Sequence, residues 1–172
     1  MHTPARQSML DRMKGAAKLD VATYEEVEAD SSATGQAAGV VVLVAVAQAI
    51  GGIGTGGAGV IGGAVAAILG WLLWAGITYL IGDKLLGGTA TWGELLRTLG
   101  FAQTPGLLMA LAFIPVAGAL IAFAAAIWRL VAGIIAIRQA LDFSTGKAIL
   151  TAVLGWLVIA IPTVILGWRA TA

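Results

Sequence analysis

Four stretches of the chain, 33–50, 60–81, 118–137 and 148–167, are apolar almost throughout, and Arg129 is the one charged residue in any of them. Each is close to the ~20 residues that carry an α-helix across the hydrocarbon core of a bilayer. Lipid offers no hydrogen-bonding partner, so each stretch must satisfy its backbone internally; with no alternating barrel pattern, helices are the only choice. A shorter stretch, 101–114, contains Pro105, and Pro115 with Gly118 then forms a turn that pairs it with 118–137 as a helical hairpin. The expected fold is an all-α integral membrane protein. It is a five-helix transmembrane bundle over 33–168, with helices at 33–50, 60–81, 101–114, 118–137 and 148–167, preceded by an amphipathic and acidic cytoplasmic segment, 1–32.

The composition agrees. Of 172 residues, 59% are hydrophobic and 11% are charged, against roughly 25% charged in a soluble domain. Ten basic and nine acidic side chains nearly cancel, so no basic surface for phosphate backbones is implied and nucleic acid is not an expected partner. With no cysteine, disulfides and thiolate chemistry are excluded. The polar first 30 residues lack the apolar core of a signal peptide and are expected to stay in the mature protein.

Charge placement sets an orientation. With the N-terminus cytoplasmic, Arg6, Arg12, Lys14, Lys18, Lys84, Arg97, Arg138 and Lys147 collect on that side, leaving only Arg169 outside and Arg129 within the membrane. All nine acids fall on the same side as the eight cations. The expectation is a plasma (bacterial inner) membrane protein with its C-terminus on the outer side, recognising by charge only from the cytoplasm.

Two cytoplasmic segments have the pattern of surface-lying helices. In "SMLDRMKGAAKL", Met9, Leu10, Met13 and Ala17 share one face and Asp11, Lys14 and Lys18 the other. In "TWGELLRTLG", Thr91 and Glu94 have capping-box spacing, with Trp92, Leu95, Leu96 and Leu99 as the apolar face; a second box is expected at Thr23 and Glu26. The acids Glu25, Glu26, Glu28 and Asp30 read first as a solvated helix start favoured by the macrodipole. With Trp92 and Glu94, they are also the candidates for cytoplasmic contacts.

Other motifs carry little chemistry. "GGIGTGG" contains G-x-G-x-x-G but joins two membrane helices and follows no strand, so it reads as a turn rather than a dinucleotide loop. Gly35 with Gly39, and Gly59 with Gly63, have the spacing of close helix approach. His2 is the sole histidine, and no metal or other cofactor site is expected. Trp92 and Trp168 suit interfacial anchoring, while Trp71, Trp74, Trp128 and Trp156 are expected to pack between helices.

Arg129 needs its own account. Counting ~1.5 Å per residue, it lies ~13 Å from Arg138 and ~16 Å from Gly118, near the bilayer midplane. Gly118, Ala122, Ala125, Ala126, Ala132, Gly133 and Ala136 share its face, so it looks into a small-residue groove and not into lipid. Pro162 cannot donate a backbone hydrogen bond, which frees the Val158 carbonyl at comparable depth as an expected acceptor. The groove and this acceptor make Arg129, beside Trp128, an intramembrane packing staple; an anion or proton pathway is the other reading.

"TWGELLRTLGFAQTPGLL", followed by "IPVAG", "IW", "AIRQAL" and "STGKA", resembles the bacterial branch of the Yip domain family, the Ypt/Rab-interacting type. The resemblance implies five membrane helices with a cytoplasmic N-terminus, and no catalytic chemistry. Eukaryotic members carry a cytoplasmic D-L-Y-G-P signature linked to Rab-type GTPases; this chain has "LDVATYEEVEAD", so Rab binding does not carry over. The expected function is that of a non-catalytic membrane organiser or accessory subunit. Its partners are membrane lipids and other membrane proteins or a second copy of itself. A small transporter or channel with a site at Arg129 is the alternative.

Overall fold

The computed structural model describes residues 7–52 and 60–171, and the side chains of all of these except Val60, Ala160 and 162–171. Among them all regular structure is helical. The order is α1 (Met9–Ala17), α2 (Val21–Ala29), a 3-10 turn at Ser31–Ala33, α3 (Thr34–Gly51), α4 (Val60–Tyr79) running on as a π-helix to Leu85, α5 (Trp92–Phe101), a 3-10 run at Thr104–Leu111, α6 (Ala117–Ala140) and α7 (Thr145–Thr171). Three helical stretches, Ser31–Gly51, Ile61–Leu85 and Ala117–Ala140, are long and apolar enough to cross a membrane. Within the described side chains of α7, Thr145–Ile159 is a further apolar helical stretch, and the helix itself runs on to Thr171.

The stretch 101–114 is not the α-helix its composition suggests. Pro105 has no N–H to give, so the chain after Phe101 tightens into i→i+3 geometry: Thr104 Oγ1 donates to the Phe101 carbonyl at 2.6 Å, and the Gly106 N–H to that of Gln103 at 2.7 Å. With α5 it forms one bent rod beside α3. Gly100 abuts Ala37 and Gly106 abuts Val44, while a Cβ at Gly51 would sit 1.9 Å from the Met109 carbonyl oxygen. A sharp turn with Val116 at φ 67 then sends α6 back along the rod, Gly118 against Ala112 and Arg129 against Gly106. Gly15 against Thr23, and Gly82 and Gly88 against Leu141, are further close approaches. Gly35 and Gly63 meet nothing, Gly39 meets only Met9, and Gly59 with the connection 53–59 lies outside the described residues.

Capping explains how α1 and α2 fold back. Ser8 caps α1 by accepting the Asp11 N–H, the chain turns at Leu19 (φ 62), and Asp20 caps α2 by accepting the Ala22 N–H. The expected capping box at Thr23 and Glu26 is therefore absent. The better cap, Asp20, starts the helix earlier, and Thr23 Oγ1 donates to it at 2.7 Å. The box at Thr91 and Glu94 is formed in full.

The core gathers where α1, α2 and α5 meet the first half of α3 and the last turns of α6, around Tyr24, Val27, Val40, Leu95, Leu99, Phe101 and Ile137. The face of α6 that carries Gly118, Ala125, Ala132 and Ala136 is buried, and Leu120, Phe123 and Leu130 point outward. Trp71 is 7% exposed and its indole donates to the Leu96 carbonyl at 3.0 Å, as a packed tryptophan should. Trp156 is 63% exposed on the outer face of α7 and does not pack between helices. Trp168 lies outside the described side chains.

Candidate functional site

Two polar constructions stand out, and each is built on an arginine. The first is Arg12, which lies on the α1 face that carries Met9, Met13 and Ala16 and is completely buried. Its Nε donates to Glu26 Oε2 at 3.0 Å, Nη1 to Gln36 Oε1 at 2.7 Å and Nη2 to Asp30 Oδ2 at 2.6 Å, with a second Nη2 bond back to Glu26. One guanidinium thus ties α1 to the last turn of α2 and the first turn of α3. Charge-assisted bonds of this kind are short and roughly twice as strong as neutral ones. The Glu26 bonds raise the Arg12 pKa further, and the Asp30 carboxyl is held well below its usual range by the Ser32 hydroxyl and then by Arg12.

Arg97 makes the matching tie from α5. Its Nε donates at 3.1 Å to the carbonyls of Val27 and Glu28, and Nη2 also donates to Glu28, closing the C-terminal end of α2 where carbonyls lack helical partners. The Glu28 carboxyl is pushed up to about 7 by burial, then by the charges of Glu94 and Asp142. On the outer edge of α2, Glu25 accepts from Gln139 Nε2 at 3.0 Å.

The acidic segment is therefore not simply a solvated helix start. Glu26 and Asp30 are engaged by Arg12, Glu25 by Gln139, and Glu94 closes its own capping box; Trp92, 47% exposed, is the one contact candidate with an open apolar surface.

The second construction surrounds Arg129. Its Nη2 donates to Gln103 Oε1, at the junction between α5 and the 3-10 run. The acceptor is Gln103 and not the Val158 carbonyl. Val158 instead lines an apolar groove between α4 and α7, and Pro162 lies within α7 with its side chain outside those described. The bend at Pro105 explains the difference, because it carries Gln103 up against α6 opposite Arg129. Among the described residues no carboxylate pairs with Arg129.

Arg129 borders two clefts. One, of about 380 Å³, lies between α3, α4 and α7 with Gln48, Trp71 and Trp74 in its wall; the other, about 200 Å³, lies between α5, α6 and α7, and both are lined by Trp74, Gln103 and Arg129. Of the other membrane polar groups, Thr78 is buried elsewhere, and Thr163 lies outside the described side chains.

Trp128 Nε1 donates to the Ala17 carbonyl at 2.8 Å, which sets the end of α1 alongside Arg129. Lys14 and Lys18 stay exposed on this packed helix.

Neither the curated proteins nor the solved structures give a match to the chain. The Yip1 domain family model matches residues 21–166, which include α2, Arg97 and the Arg129 clefts, while α1 with Arg12 precedes the matched region. The chain is a membrane protein of the Yip1 domain family.

Proposed function

We propose that this protein is a non-catalytic membrane organiser or accessory subunit. It acts through lateral helix contacts and through a polar face built from α1, α2 and the start of α5. The observation that carries the reading is the double arginine tie: Arg12 and Arg97 make the N-terminal segment a rigid part of the membrane domain, not a tethered tail. Rigid surfaces lose little entropy on binding. α1 exposes Leu10 beside Asp11, Lys14 and Lys18, and the start of α5 exposes Trp92, mixtures of apolar and charged groups suited to protein contact. The apolar groove beside Val158 suits a lateral helix from another membrane protein or a second copy. The charge asymmetry supports a five-span arrangement with a cytoplasmic N-terminus in the inner membrane, α1 and α2 lying at the membrane surface and the C-terminus outside. The absence of the D-L-Y-G-P signature argues against a Rab-type GTPase as the partner.

The test is co-purification in mild detergent followed by mass spectrometry. A defined set of membrane partners retained by the wild type and lost on Trp92→Asp or Leu10→Glu supports the reading. Partners unaffected by both changes would remove the polar face from it. Turnover abolished by Glu94→Gln in a folded protein would overturn the non-catalytic assignment.

A second reading, solute passage beside Arg129, is favoured by the clefts that reach this side chain. Flux in proteoliposomes that is lost on Arg129→Leu would support it.

A further inference from the structure

The Arg129 guanidinium has five N–H donors, and the structure gives it one hydrogen bond, to Gln103. No carboxylate among the described residues balances its charge. This cation is left with most of its donors unused, whereas Arg12 in α1 has each of its guanidinium nitrogens engaged by acids or an amide. An unpaired charge facing apolar walls is costly, and it becomes favourable when an opposite charge enters with matching hydrogen bonds.

The walls say what else the entering group must carry. Around Arg129, Gln103 and Gln48 the larger cleft is apolar, lined by Val41, Val44, Ala45, Ala67 and Trp74. Its volume, about 380 Å³, falls within the range of small-molecule sites. Ala126 and Leu130, exposed on α6, line the second cleft, so the guanidinium can be approached sideways from the bilayer. The contact between Trp128 and Ala17 sets α1, with its exposed Lys14 and Lys18, at the level of this opening, as suits an amphiphile whose headgroup lies at the membrane surface.

We propose that the Arg129 clefts bind the oxyanion of a membrane amphiphile, a carboxylate or phosphate borne on an acyl chain. The oxyanion takes a forked pair of hydrogen bonds from the guanidinium, the geometry arginine offers best. The amides of Gln103 and Gln48 supply further donors, and the chain lies along the apolar wall. This site stands independently of partner binding, and it requires no solute to cross the membrane.

The test uses the full chain, delipidated in an uncharged maltoside detergent. Trp71 and Trp74 line the cleft, so a brominated acyl chain seated there quenches their fluorescence. The probes are a brominated fatty acid, a brominated anionic phospholipid, a brominated monoacylglycerol as uncharged control, and inorganic phosphate as competitor. Saturable quenching is expected from one or both anionic probes, which also tells a carboxylate source from a phosphate source, with the control at least about tenfold weaker. Arg129→Gln should weaken the anionic probe by a similar factor. Gly70→Leu is a second variant that keeps the arginine: a Cβ at Gly70 meets nothing within 4 Å, so the new side chain fills the cleft without a clash at its root and should also abolish quenching. Equal quenching by the uncharged control, or binding unchanged in both variants, would overturn the proposal. Full competition by millimolar phosphate alone would show a free-anion site and overturn the amphiphile assignment.

Discussion

Arg12→Met removes the charge at the centre of the N-terminal tie while keeping most of the side-chain volume. It deletes the bonds to Glu26, Asp30 and Gln36 and leaves two carboxylates facing each other beside a buried thioether. Breaking a fully buried pair by removing one partner costs ~3–5 kcal/mol. Here the acids keep 32% and 26% of their side-chain surface in solvent and can recover part of their hydration. The expected cost is therefore about 2–3 kcal/mol, which is roughly a 30- to 140-fold rise in the population with α1 detached. Limited trypsin digestion in detergent reads this directly, because Lys14 and Lys18 are exposed cleavage points on α1 and cleavage of a briefly opened segment follows its equilibrium population. Arg12→Lys should lie between wild type and Arg12→Met, since it keeps a charge but loses the fork. Cleavage of Arg12→Met within about twofold of wild type would refute the claim that this guanidinium holds the N-terminal helices to the bundle.

Glu28 makes stability pH-dependent. Its folded pKa of about 7 lies above the 4.5 of the free side chain, so the folded state holds the proton more tightly and stability falls as pH rises from about 4.5 to about 7. Screening at this half-buried site reduces the effect to about 1 kcal/mol, and Glu28→Gln should flatten that part of a thermal-stability profile. Gly118→Leu should destabilise the turn by about 3 kcal/mol or more, because its Cβ would stand 2.0 Å from the Ala112 carbonyl oxygen, and detergent thermal denaturation measures this. Thr91→Ala removes the cap that accepts the Glu94 N–H at 3.3 Å and should cost about 1 kcal/mol by the same assay.

Much of this architecture was readable where it depends on local chemistry. The small residues of α6 give a buried face because a one-helix period separates them from Leu120, Phe123 and Leu130, and the box at Thr91 and Glu94 needs only a spacing of three. Arg12 was harder, since its partners stand 14, 18 and 24 residues away. One signal was present: Arg12 falls on the same helical face as Met9, Met13 and Ala16, where a cation must find acids, and an acid cluster follows one helix later. The partner of Arg129 was missed because hydropathy presented 101–114 as a single spanning unit. Pro105 instead turns the chain so that Gln103 faces α6. The packing of α1 against α6 was not legible at all, because the Trp128 indole reaches a carbonyl 111 residues earlier in the chain.

The most direct test of the whole account is single-cysteine labelling, which the cysteine-free chain makes clean. Ser8, Thr91 and Ser144 are exposed on the polar end of the bundle, where Thr89 Oγ1 donates to Asp142 Oδ2 at 2.9 Å and Lys147 Nζ to the Leu86 carbonyl at 3.2 Å. Cysteines at these three positions should resist an impermeant thiol reagent added to intact cells and react once the cells are broken open. A cysteine at Thr55, in the connection between α3 and α4, should react in intact cells. Labelling of Ser8, Thr91 or Ser144 from outside, with Thr55 protected, would contradict the cytoplasmic placement of the polar face and the membrane arrangement built on it.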